Sequence, residues 1–193
     1  MNKEDKKNAA LHLNKEANLC LEDGNLDRAV ALYKTCHGLL RELQDRHGQV
    51  IVLNNMGLIH VQMKNLDEAM SCFRRAYNLY EVLEDKEGQT HQLSNMGSVC
   101  RDKEKYYDEV LDLYMRALSI FRELEAKLEV ANQKTNIAYI YTMKHAIQEA
   151  LDWYRKALSL YEALQETGRA ESTRRNIDIL SSEIDKRKGW PET

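Results

Sequence analysis

The sequence predicts an all-α fold, a right-handed α-solenoid of four helix hairpins followed by a C-terminal capping helix. The first observation is an internal repeat of about forty residues: residues 48–57 and 88–97 share six of ten positions at an offset of 40. The second is the scarcity of helix breakers, since the 193 residues contain one proline and eight glycines. The third is an apolar period of about 3.6 residues, broken once in each repeat. A fixed period of this length is typical of arrays in which each unit buries its apolar face against its neighbours.

The repeat sets the predicted organisation of the chain. We expect a lead-in over residues 1–9, repeats over 10–49, 50–89, 90–130 and 131–170, a capping helix over 171–188 and a tail over 189–193. Within the second repeat we expect two helices joined by a turn, with Asn65 in a left-handed conformation. The third repeat has one extra residue, which we place in the turn at residues 103–107 because insertions cost least in loops.

Composition restricts the class of protein. The formal net charge is −3 and the isoelectric point is about 6.1, so we expect neither a nucleic acid nor a membrane as partner. No apolar run approaches eighteen residues and residues 2–7 are all charged or polar, so we expect neither a transmembrane helix nor a signal peptide. The four cysteines form no CxxC pair, which favours reduced thiols and a cytoplasmic location.

Small and aromatic residues recur at fixed places in the repeats. The first helix of each repeat carries a small residue, and the second carries alanine, an aromatic residue and alanine, as in Ala69, Phe73 and Ala76. This pattern resembles the tetratricopeptide repeat across residues 10–170. The usual unit of that family has about 34 residues. The longer unit found here is similar to those of kinesin light chain and the Pins-type polarity adaptors, whose first helix often carries Asn-Leu-Gly. The matching triplets are Asn55-Met56-Gly57, Asn95-Met96-Gly97, Asn136-Ile137-Ala138 and Asn176-Ile177-Asp178.

Asparagines occupy one position in four successive first helices: Asn55, Asn95, Asn136 and Asn176. This position precedes a buried Met or Ile, so it faces away from the second helix of its own repeat, toward the concave side of a right-handed stack. A primary amide has two donors and an acceptor and can pair with both polar groups of a peptide unit. The resemblance implies the same role, because asparagines in this column grip the backbone of bound peptides in related adaptors. Two alternatives remain open: the amides bond to an adjacent helix, or they are relics of duplication.

The predicted peptide-binding groove has a basic character. Lys15 takes the asparagine position in the first repeat, and the surrounding candidate residues are Asn18, Asn54, His91, Arg101, Asn132 and Arg175. An extended peptide with acidic side chains or a free carboxylate suits this lining best. With helices about 10 Å apart and a peptide rise of about 3.3 Å per residue, the ligand has roughly eight to twelve residues.

These observations predict a non-catalytic scaffold for protein–protein interaction. We expect no catalytic, metal or cofactor site, because the six histidines lie apart without metal-ligand spacing and no glycine-rich phosphate loop is present. One alternative is a structural protein that forms homo-oligomers through the first repeat, where Leu11, Leu13 and Leu19 have no preceding repeat to cover them. Another is a peptide-sensing regulator that acts through another chain.

Overall fold

The computed structural model describes residues 1–100 and 103–188, with side-chain surroundings through residue 184, and all secondary structure in these residues is helical. The chain divides into two units, residues 1–102 and 103–193. The prediction of an all-α fold of repeated helix hairpins is confirmed. None of the helices described is long and apolar enough to cross a lipid bilayer.

Over residues 1–100, the first unit consists of helices joined by three-residue turns. They are α1 (Lys3–Glu22), α2 (Leu26–Glu42), α3 (Arg46–Gln62), α4 (Leu66–Val82) and α5 (Lys86–Cys100). Helix α1 begins where Asn2 caps it, since the Asn2 side chain accepts a hydrogen bond from the backbone N–H of Asp5 at 2.8 Å.

The second unit has the same arrangement of helices and turns. A short 3-10 helix (Glu104–Tyr106) lies where the extra residue of the third repeat was expected. It is followed by α6 (Tyr107–Glu123), α7 (Lys127–Met143), α8 (Ile147–Ala163) and α9 (Thr167–Lys188). Helices α1, α3, α5, α7 and α9 are the A helices below, and α2, α4, α6 and α8 are the B helices.

The three-residue turns share one conformation. The middle residue has a positive φ, for example 74° at Gly24 and 62° at Lys64, and the third residue caps the next helix. The prediction that Asn65 is left-handed was therefore wrong, because its φ is −84° and it is the residue before α4. The reversal of the chain falls on the middle residue, and the third residue needs a non-helical backbone to begin the next helix.

Gly24→Ala is expected to destabilise the first unit by about 1 kcal/mol, because an alanine at positive φ is strained. No atom lies within 4 Å of the added Cβ, so the cost is one of backbone conformation alone. The matched control is Gly38→Ala, which lies inside α2 with equally open surroundings and should gain about 0.5–1 kcal/mol. Urea unfolding of both variants checks this, and equal shifts in one direction would contradict it.

The core of each unit packs small residues of A helices against rings of B helices. In unit 1 the fully buried Phe73 of α4 lies over Gly57 of α3, so close that a Cβ on Gly57 would stand 2.7 Å from its Cδ1. In unit 2 the ring of Tyr154 packs in a cluster with Ala138, Ala150 and Leu180. This packing is the reason for glycine inside α3, where it otherwise lowers helix stability.

Candidate functional site

The candidate residues of unit 1 lie on its A helices. Lys15 and Asn18 of α1 and His91 of α5 are exposed, whereas Asn54 and Asn55 of α3 and Asn95 of α5 are half-buried. We call these six residues the A-helix face of unit 1. The half-buried amides are thus held by the fold, and the flanking charged side chains reach solvent.

A tyrosine hydroxyl connects two of these asparagines. Tyr33 of α2 donates a hydrogen bond to Asn18 Oδ1 and accepts one from Asn55 Nδ2 at 3.3 Å. Asn55 therefore joins its own helix to the B helix of the preceding hairpin. One of the two alternatives to peptide binding, an amide bonded to an adjacent helix, is thus observed for one N–H of Asn55.

Asn95 has a different hydrogen-bond partner from Asn55, because a phenylalanine takes the place of the tyrosine in the preceding B helix. The residue of α4 that corresponds to Tyr33 is Phe73, which has no hydroxyl. Asn95 Nδ2 instead donates to Asn54 Oδ1 at 3.0 Å, and Gln92 Nε2 donates to the same oxygen at 3.2 Å. The identity of one B-helix residue thus decides where the next asparagine bonds.

Unit 2 repeats the tyrosine arrangement on a second set of residues. Asn176 of α9 and Thr142 of α7 hydrogen-bond to the hydroxyl of Tyr154. Asn132 Oδ1 of α7 accepts from Tyr161 of α8 at 2.9 Å. The remaining candidate residues complete the A-helix face of unit 2, which consists of Asn132, Asn136, Arg175 and Asn176.

Two of these residues keep their polar groups largely available. Asn136 is half-buried and forms no side-chain hydrogen bond with the other residues described. Arg175 is exposed and donates to Ser172 Oγ at 3.3 Å. Arg101, the last predicted site residue, lies outside the described residues, as does the tail with Trp190.

The tyrosines that hold the asparagines stay protonated. Burial raises the pKa of Tyr33, Tyr154 and Tyr161, and hydrogen bonds with Asn55, Thr142 and Thr135 respectively offset part of that rise. Each phenol therefore remains a neutral O–H donor at physiological pH, and it can accept from an amide at the same time.

The side-chain amides of Asn55 and Asn95 retain hydrogen-bonding capacity after these contacts. Each donates one N–H to a residue of unit 1. A primary amide has two donors and an acceptor oxygen, so a second N–H and the Oδ1 remain for a ligand at each position. Half-burial fixes the side chain, which reduces the conformational entropy lost on binding.

Exposed apolar residues lie at the same repeat positions as the polar candidates, and the sequence did not lead us to predict them as site residues, although Leu11 was expected to be uncovered. Leu11 and Ile51 share the repeat position of His91 and Asn132, and Leu58 shares that of Asn18. All three are large and about half exposed, at 55%, 54% and 49%. These repeat positions hold both polar and apolar residues, and only the polar residues were predicted to bind a peptide.

Tyr33→Phe is expected to lower the stability of unit 1 by about 1 kcal/mol, because Asn18 loses a donor and Asn55 an acceptor. The control is Tyr141→Phe, whose hydroxyl forms no hydrogen bond with the residues described and should change stability little. Thermal unfolding by far-UV circular dichroism measures both, and an unchanged midpoint for Tyr33→Phe would refute the bridging role.

Comparisons with known proteins agree with the repeat pattern. A family model described as tetratricopeptide repeat matches residues 8–81 and 90–163. Among curated proteins, no sequence match was found.

Solved structures share the fold at low sequence identity. The apo form of RapI has a TM-score of 0.76 and 15% identity, over 92% of this chain and 49% of that one. A Rap protein complexed with competence and sporulation factor has a TM-score of 0.60 and 15% identity, over 93% and 50%. A signal transduction ATPase with numerous domains and a tetratricopeptide repeat sensor, from Pyrococcus horikoshii, has 0.69 and 14%, over 95% and 31%. This chain spans about half or less of the length of each.

Proposed function

Because the chain belongs to the tetratricopeptide repeat family, we propose that it is a non-catalytic interaction scaffold that binds an extended segment of a partner protein on its A-helix faces. The observation that carries the proposal is that each unit holds half-buried asparagines on its A helices, and that Asn55 and Asn95 retain spare donors and acceptors. Such side chains pair with a main chain of almost any sequence.

The charges on the faces favour an acidic ligand. Lys15 and Arg175 are exposed, and neither forms an ion pair with the residues that the structure describes. They stand beside neutral amides on a protein whose formal net charge is −3, so the positive charge is local. An acidic side chain or a terminal carboxylate of the ligand would form an ion pair with Lys15 or Arg175.

Apolar contacts would add affinity. The exposed Leu11, Ile51 and Leu58 lie in the same columns as the polar candidates of unit 1. Burying apolar surface contributes about 25 cal/mol per Å² removed from water. We therefore propose a ligand that combines acidic residues with one or two large apolar side chains. The Rap protein solved with competence and sporulation factor supports the idea that this fold receives a partner.

Selection from a display library of random decapeptides against the full chain tests this proposal. We expect enriched peptides to carry Asp or Glu together with an apolar residue, and their binding to weaken as salt is raised because exposed charges are screened. Failure to enrich any peptide, or enrichment of basic ones, would contradict it.

A second candidate function is self-association through α1. Leu11 and Leu19 of α1 are exposed at 55% and 59%, and exposed apolar residues on one helix favour contact with a second copy. Light scattering over a range of concentrations separates the two, because the scaffold stays at one mass and the self-associating protein does not. For either function we propose a cytoplasmic location, since all four cysteines are free.

A further inference from the structure

A pocket of about 250 Å³ lies in unit 1 between α1, the end of α2 and the start of α3. It does not include Asn55 or Asn95, although it shares Leu11 and Ile51 with the apolar contacts proposed above, and its wall is mainly apolar. The apolar side chains of that wall are those of Ala10, Leu11, Cys36, Leu40, Leu43, Ile51 and Val52, and the polar ones are those of Lys7, Asn8, Asn14 and Asp45.

The pocket exists because, at one repeat position, the first hairpin carries a smaller side chain than the second hairpin does. Tyr80 of α4 occupies the repeat position of Leu40, and its ring covers Gly88, with Cγ 2.6 Å from where a Cβ would stand. At the corresponding Gly48, the nearest apolar group is a methyl carbon of Leu40. A leucine in place of a tyrosine leaves the volume of a ring unfilled.

One residue that lines this space, Asn14, has a buried side-chain oxygen without a hydrogen-bond partner. Asn14 Oδ1 is buried and accepts no hydrogen bond, whereas the corresponding Asn54 Oδ1 accepts two, from Gln92 and Asn95. The counterpart of Gln92 is Val52, which cannot donate, and the counterpart of Asn95 donates to Tyr33 instead. A buried acceptor left unpaired is costly, so a donor supplied by a ligand would gain that interaction.

We propose that this pocket binds a small uncharged ring compound carrying one hydrogen-bond donor, of the indole or phenol class. The ring would fill the space that Tyr80 fills in the next hairpin, and its N–H or O–H would bond to Asn14 Oδ1. An engineered apolar cavity of about 150 Å³ binds benzene, so about 250 Å³ accepts a larger ring. Pockets with a few polar groups in an apolar wall are the usual sites of small ligands. This site does not depend on the peptide-binding function proposed above.

Titration of the isotopically labelled full chain with indole and with 1-methylindole, followed by NMR, tests the proposal. We expect saturable shifts at Leu11, Asn14 and Ile51, with a dissociation constant on the order of 1 mM for so small a ligand. Indole should bind about fivefold more tightly than 1-methylindole, which lacks the donor.

Two variants that copy the second hairpin sharpen the test. Leu40→Tyr should fill the pocket and abolish binding of both compounds, with the dispersion of the spectrum reporting that the fold is intact. Val52→Gln should give Asn14 Oδ1 an internal donor, as Gln92 does for Asn54, and remove the preference for indole. Asn78→Ala, which removes an exposed amide of α4 outside the pocket, should leave indole binding unchanged.

Equal affinity for the two compounds in the wild-type protein, or no saturable shift with either, would overturn the proposal. An aromatic side chain of a bound peptide could supply the same ring and hydrogen-bond donor to the pocket. A tryptophan-containing peptide that saturates these residues while free indole does not would assign the pocket to that source and overturn the free-ligand site.

Discussion

Gly57→Ala is expected to destabilise unit 1 by about 2 kcal/mol. The added Cβ would stand 2.7 and 2.8 Å from two carbons of the ring of Phe73, a fully buried residue of α4. Overpacking of this kind costs about 1–3 kcal/mol, here at the upper end, and the better helix propensity of alanine returns less than about 1 kcal/mol. Urea unfolding followed by far-UV circular dichroism gives the difference.

A second substitution identifies the cause. Phe73→Leu removes the ring edge that faces Gly57, so the double variant should be more stable than Gly57→Ala alone, although Phe73→Leu by itself weakens the core. Gly38→Ala, with open space around its Cβ, serves as the control for helix propensity. Additive effects of the two substitutions would show that the ring contact is not what requires glycine.

Asn95→Ala combined with Asn136→Ala is expected to weaken binding of a selected peptide by roughly thirtyfold, which corresponds to about 2 kcal/mol. The substitutions remove one amide from each A-helix face, and each amide should contribute about one net hydrogen bond to the peptide backbone. Isothermal titration with the peptide enriched from the library measures the change.

The matched control is Asn78→Ala, which removes an exposed amide from the B helix α4. It should leave the affinity unchanged. A thermal melt of each variant shows whether the loss of the Asn95–Asn54 bond has weakened the fold instead. A double variant that is folded and binds as the wild type does would refute the role of the asparagines.

The helices and their buried faces were predictable because the repeat supplies the same information several times. The small residue at Gly57 and the ring at Phe73 could be matched across repeats, and their contact follows from helical periodicity. The left-handed turn residues could not be read in the same way. Only Gly24 marks such a position by its chemistry, whereas Gln44 and Lys64 are residue types without that preference.

The candidate site was predictable in position and less so in bonding. The sequence placed Asn55 and Asn95 at one repeat position, but their partners depend on whether the preceding B helix carries Tyr33 or Phe73. The pocket at Asn14 depends on the volume difference between leucine and tyrosine at corresponding places, which becomes a cavity only when three helices are assembled.

The most direct test of the scaffold is to record which asparagine side-chain NH₂ signals move when a selected peptide is added to the labelled protein. We expect shifts for Asn55, Asn95, Asn136 and Asn176, with Asn78 unaffected. Shifts confined to B-helix residues such as Asn78, with the signals of those four asparagines unmoved, would contradict the proposed scaffold.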